Sequence, residues 1–244
     1  MKHQLNRVVV GLAAVVLGTA TLGCGFISQA KQAVDNLTAV SDVMDLLDRS
    51  AQLTFTANYT LVDGGGTATV VQQPPNASFT GRDGRFIMTP EHVLMCTGKG
   101  AQATCQRSPN NGAEPGSADY SAHLQAVAGG GFISTPMALA MLTIASVTPG
   151  VEVSKSNKKI AGLASTCLTA TGIPQDQAEN TVQAKDYTVC VADNGVLTAF
   201  TATGTDDVKL GVELAEFSQD VDPKAFVAPA GVRIVDVGQL EPPR

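Results

Sequence analysis

The 244-residue sequence contains no tryptophan, three tyrosines and eight phenylalanines. A stacking platform for sugars or bases needs exposed aromatic rings, so this poverty argues against carbohydrate and single-stranded nucleic acid. Basic residues are also scarce. Lys and Arg total 16 against 22 Asp and Glu, giving a net charge of −6. An acidic chain repels phosphate backbones and anionic headgroups, so no nucleic-acid partner is expected. Neither a Gly-x-Ser-x-Gly elbow nor a phosphate loop occurs. His123, in YSAHLQAV, reads as a polar helix position rather than a base. Asp206-Asp207 reads as a turn pair, where Asp serves backbone geometry. The chain is read as non-catalytic, with no cofactor.

What is present begins with a leader. Lys2, His3 and Arg7 precede an unbroken run of apolar or small residues from Val8 to Gly23. A basic segment followed by a short apolar one is the layout of an export signal. The run is short for a membrane span, which needs about 20 apolar residues. It ends at Thr21-Leu22-Gly23-Cys24, small residues before a cysteine. This resembles the bacterial lipobox, although Thr21 stands where Leu is usual. The resemblance implies cleavage before Cys24, lipidation of its thiol and palmitate incorporation. The expected destination is the extracytoplasmic face of the cell membrane.

Five cysteines fit that reading: Cys24, Cys96, Cys105, Cys167 and Cys190. An odd count in an exported chain leaves one thiol to explain. Acylation of Cys24 removes it, and disulfides persist in oxidising compartments. In CTGKGAQATC the cysteines are symmetric about Gly100-Ala101, so a tight turn opposes Cys96 and Cys105 on paired strands. Cys167 and Cys190 both fall in strand-like runs and form the second expected pair. No Cys-x-x-Cys occurs, and His92 and His123 are the histidines after the leader. Structural disulfides are preferred to a metal site.

Residues 27–49 carry Ile27, Ala30, Val34, Leu37, Val40, Met44 and Leu47 at helical spacing. The period then changes to two: Leu53, Phe55, Ala57, Tyr59 and Leu61 alternate with polar residues, as in a half-buried antiparallel strand. Asp63–Gly66 is a turn, and Pro74-Pro75 ends the next strand. Short strands are expected at 77–82, 85–89, 92–97 and 103–107. ADYSAHLQAV is a short helix, and Gly129–Gly131 is a break. TPMALAMLTIASV is a second helix, apolar all round and therefore expected to be surrounded by protein. Strands follow at 151–159, 163–171, 184–192, 195–204 and 207–217, with 232–237 a further candidate. The expectation is an antiparallel α+β fold of about ten or eleven strands. It comprises a leader at 1–23, one domain at 24–237 and a disordered tail at 238–244.

The leader ending at Cys24, the amphipathic first helix and the strands interrupted by an apolar helix resemble a known family. These are the exported LppX/LprG-like lipoproteins, related in shape to the carrier LolA. The stretch ELAEFSQDVDPKAFVAPAGV, 213–232, is similar to an ending common in that superfamily. The resemblance implies a half-barrel sheet whose concave face, closed by helices, holds acyl chains. Phe55, Tyr59, Met137, Met141 and Ile144 are the residues assigned to that lining, Met being flexible enough to adapt. The two expected disulfides depart from the lipid-binding members. A filled core, with the sheet face binding a protein partner as an interaction or sensor module, stays open as the alternative.

Overall fold

The computed structural model describes residues 24–62, 65–82, 84–98, 103–128, 132–174 and 184–237. The leader, the centre of the 63–66 turn, the Gly100-Ala101 turn, the Gly129–Gly131 break and the 238–244 tail lie wholly or partly outside them. Helix α1 spans Cys24–Ser50. Six strands follow: β1 Phe55–Leu61, β2 Thr67–Gln73, β3 Asn76–Thr80, β4 Gly84–Met88, β5 His92–Thr97 and β6 Thr104–Pro109. Helices α2, Ala118–Ala128, and α3, Thr135–Val147, interrupt them. Then come β7 Glu152–Ile160, β8 Leu163–Thr171, β9 Ala184–Ala192, β10 Leu197–Gly204, β11 Lys209–Ser218 and β12 Arg233–Asp236.

All twelve strands form one open sheet in the order β12-β6-β5-β4-β3-β2-β1-β11-β10-β9-β8-β7. Every neighbouring pair is antiparallel except β12 with β6. The count exceeds the expected ten or eleven because the short run Arg233–Asp236 joins the sheet, in parallel, beside β6. Arg107 ties that edge, donating from Nε and Nη2 to the two carboxylate oxygens of Asp236 at 2.6 and 2.9 Å. The sheet curls, so that β7 and β11 approach each other although three strands lie between them. It is nevertheless not closed.

The helices share one face of the sheet. α1 packs on β7, β8 and β9, α3 on α1 and β7, and α2 on β3, β4 and β5. Alternation along the strands sets what meets them. In β4, Phe86 and Met88 join the main core while Ile87 points to the other face. There Ile87, Leu94, Cys96 and Cys105 form a second, small core under Phe226, Ala228 and Val232. The segment after β11 therefore crosses the far face of the sheet. Arg85 holds it by donating to the carbonyls of Lys224 and Ala225 in the 3-10 turn Pro223–Phe226.

The face α1 buries differs from the stripe read in its sequence. Asn36, Val40, Val43, Leu47 and Ser50 are buried, while Val34 and Leu37 are exposed. A period of 3.6 residues carries one face through 36, 40, 43, 47 and 50, and Asn36 is tolerated there because both polar atoms of its amide are hydrogen-bonded. Nδ2 donates to the Val151 carbonyl at 2.9 Å, and Oδ1 accepts from the Val153 N–H at 3.2 Å. The other end of α1 rests on the β9–β10 hairpin. Gly195 has φ +94°, and a Cβ there would lie 2.4 Å from the Leu46 carbonyl oxygen. Gly195→Ala is expected to cost about 1–3 kcal/mol for the backbone conformation alone, with the clash added. Its thermal midpoint should fall by several degrees; an unchanged midpoint would show that α1 is not seated on this hairpin.

Candidate functional site

α3 begins at Ser134, whose side chain accepts from the Met137 N–H, with a proline in the first turn. Its 13 residues include no charged side chain. Ala138, Leu142 and Ala145 enter the main core. The helix is not surrounded by protein as its composition suggested. Met137, Ile144 and Val147 are exposed, because one side of α3 packs on the sheet and α1 and nothing among the described residues covers its outer side.

Beside α3, toward β7 and β9, lies a pocket of about 260 Å³. Met137, Met141 and Ile144 line it from the helix, and Val151, Ile173 and Tyr187 from the strands and their ends. The polar groups around it are few, and the most constrained is Tyr187. Its hydroxyl donates to the Met141 carbonyl, so it fixes the helix and leaves the pocket apolar. Burial pushes the Tyr187 pKa up from the usual phenol value, so the ring is neutral at physiological pH. Asn36 does not line the pocket but fixes the backbone of its Val151 wall through bonds to Val151 and Val153.

The five residues assigned to a ligand lining are not brought together. Met137, Met141 and Ile144 share the pocket just described. Phe55 and Tyr59 lie in the packed core. The Tyr59 ring meets Phe132 edge to face at 5.7 Å, and its hydroxyl donates to the Leu197 carbonyl at 2.9 Å. Burial, with Tyr120 nearby as the lesser cause, raises its pKa. The gap beside these rings holds about 40 Å³, against about 260 Å³ for the pocket beside α3. A second, more open groove of about 490 Å³ runs between α1 and α3, with Leu47 and Asp48 on one wall and Leu139, Thr143 and Ile144 on the other. Ile144 is the ridge between groove and pocket.

The cysteines fall as the strand registers require. Cys96 opposes Cys105 and Cys167 opposes Cys190 in the ladders. Both pairs are disulfides, with Cα atoms 3.9 and 4.0 Å apart. Two structural disulfides accord with an oxidising, extracytoplasmic compartment. Cys24 is the first residue of α1. His123 stacks on Phe86 at 5.8 Å, and His92 pairs with the Thr89 hydroxyl. Among the described residues no helix is long and apolar enough to cross a membrane, and no three His, Cys, Asp or Glu side chains group as metal ligands.

Two contributors, Asn36 and Tyr187, are not among the residues that the sequence pattern singles out. Asn36 is visible as a polar residue in phase with Val40, Val43 and Leu47. Tyr187 gives no signal beyond strand alternation, since its partner is a main-chain carbonyl 46 residues away.

No protein-family model matches the chain, and no curated protein matches it in sequence. A solved structure, that of an uncharacterized conserved protein from Thermus thermophilus, aligns with a TM-score of 0.46 and 8% identity. The alignment covers 81% of this chain and 99% of that one.

Proposed function

We propose that this chain is an exported lipoprotein, anchored through Cys24, whose half-barrel domain holds an acyl tail or a similar apolar group without catalysis. The resemblance to LppX/LprG-like and LolA-like proteins supports the reading. The observation that carries it is the apolar pocket lined by Met137, Met141 and Ile144. Its volume falls near the lower end of small-molecule sites, about 300–1,000 Å³. One tail fits that space better than a whole lipid, so the headgroup stays outside. Lipid extraction of the purified protein, followed by mass spectrometry, is expected to release a stoichiometric amphiphile. Protein that is folded and free of any extractable lipid after expression in a lipid-replete cell would overturn the pocket assignment.

The anchor is tested separately. Cys24→Ala is expected to abolish incorporation of labelled palmitate and to leave the leader uncleaved. Undiminished labelling of that variant would remove the lipobox assignment without touching the pocket.

A further inference from the structure

We propose that the outer face of α3, together with the adjoining exposed residues of α1, lies on the bilayer surface, so that the pocket faces the membrane. The proposal goes beyond pocket occupancy: it assigns an orientation and a docking face. Its link to the reading above is that a seated lipid would enter from this side.

The face is defined by spacing. Met137, Ala140, Ile144 and Val147 recur at i, i+3, i+7 and i+10, one stripe along α3. Met137 is 37% exposed, Ile144 59% and Val147 57%. On α1, Val34 is 61% exposed and Leu37 46%. These five make up half of the ten large apolar side chains exposed among the described residues. Such a concentration marks a contact surface rather than scattered exposure.

The two helices bring their exposed residues together because they run antiparallel. Asn36 bonds to Val151, just past the end of α3. Met44 sits beside Thr143, and Leu47 and Asp48 face Leu139 across the groove. Leu37 therefore lies near Val147, at the end of the domain where Val151 and Thr148 line the pocket.

The bilayer is the occupant because of the chain outside the described residues. Residues 1–23 end at the first residue of α1, and their apolar run Val8–Gly23 addresses a membrane. Cys24 lies twelve residues before Asn36 on the same helix, roughly 18 Å at about 1.5 Å per residue. The Leu37–Val147 end of the stripe, with Val151 and Thr148 of the pocket, thus lies toward the point of membrane attachment, and the Met137 end lies beside the C-terminal part of α1. Charge agrees. α3 has none, and two exposed acids of α1 are paired away from it, Asp35 with Lys31 and Asp42 with Lys155 on β7, while Asp48 lines the groove beside α3. With those acids nearby, docking is to a neutral lipid surface by apolar contact, not to anionic headgroups.

The absence of tryptophan supplies the test. Full-length protein carrying Ile144→Trp or Val147→Trp is reconstituted in phosphatidylcholine vesicles and compared with Val227→Trp, an equally exposed site on the far face of the sheet. Brominated phosphatidylcholine is expected to quench the α3 tryptophans several-fold more than that control. Adding anionic lipid should not increase the quenching. Equal quenching at all three positions would overturn the proposal. So would weak quenching at 144 and 147 with concentration-dependent protection by protein alone, which would make the stripe an interface between copies. Lipid content, measured on the same preparations, reports pocket occupancy independently. A lipid-filled protein whose α3 tryptophans escape quenching would refute docking alone, and a quenched but empty one would refute the pocket alone.

Discussion

Leu142→Asp is expected to leave the domain unfolded at 25 °C, while Met141→Asp, one residue earlier, is expected to leave it folded and empty of lipid. Leu142 is fully buried among core side chains. A carboxylate there has no partner, and burying it charged or forcing it neutral are both costly. The lost apolar packing adds about 2–5 kcal/mol, taking the large-to-small value for Leu. Together these rival a total stability of about 5–15 kcal/mol. Met141 is only half-buried and lines a pocket with an open mouth, so a carboxylate there keeps access to water. Its cost should stay near about 1 kcal/mol, a fall of about 2–4 °C in a domain of this size. Thermal midpoint and extracted lipid are the two readouts. If Met141→Asp collapses the midpoint as Leu142→Asp does, the pocket is part of the packed core and the ligand reading fails.

The second large effect concerns the disulfides. Replacing Cys167 and Cys190 together by Ala is expected to destabilise the domain by about 3.4 kcal/mol, and replacing Cys96 and Cys105 together by about 2.6 kcal/mol. The difference follows from loop length in the chain-entropy account of cross-links, for sequence separations of 23 and 9. The surroundings act in the same direction. Cys167–Cys190 belongs to the main core, whereas Cys96–Cys105 belongs to the small core on the far face. Denaturant midpoints of the two double variants, measured side by side, decide the order. A larger loss from the Cys96–Cys105 pair would show that the short bridge holds the far-face strap in place and that its effect is not loop closure.

Most of the sheet was legible because period-two alternation and turn residues are local signals. Each expected run became a strand, and the cysteine symmetry in CTGKGAQATC gave the register of β5 on β6. What was not legible depends on distant partners. Arg233–Asp236 was legible as a candidate strand, but its parallel pairing with β6 was not. The burial phase of α1 was misjudged because Asn36 looks polar until Val151 and Val153 are placed against its amide. For the same reason α3 read as an interior helix. Composition reports that a side chain is apolar, and not whether a neighbour exists to cover it. The candidate site was half legible: the three α3 residues were found from their chemistry, whereas Phe55 and Tyr59 are equally apolar and differ only in being packed against Phe217 and Phe132.

The order of strands also governs when, during synthesis, the molecule becomes whole. β1 to β6 form one run of sequence-neighbouring hairpins and β7 to β11 another, and the two are joined in the ladder where β1 meets β11. That pairing is long-range: Asn58 reaches Glu216, 158 positions along the chain. Such closure is slow, because loop entropy is spent before the contact is gained. A ribosome that stops short of Lys209 would release a product with β1 and β10 as two bare edges, each apolar on one face and prone to pairing with another chain. Residues 209–236 supply β11, the far-face strap and β12. Premature termination in this stretch should therefore yield aggregates rather than a shortened working protein.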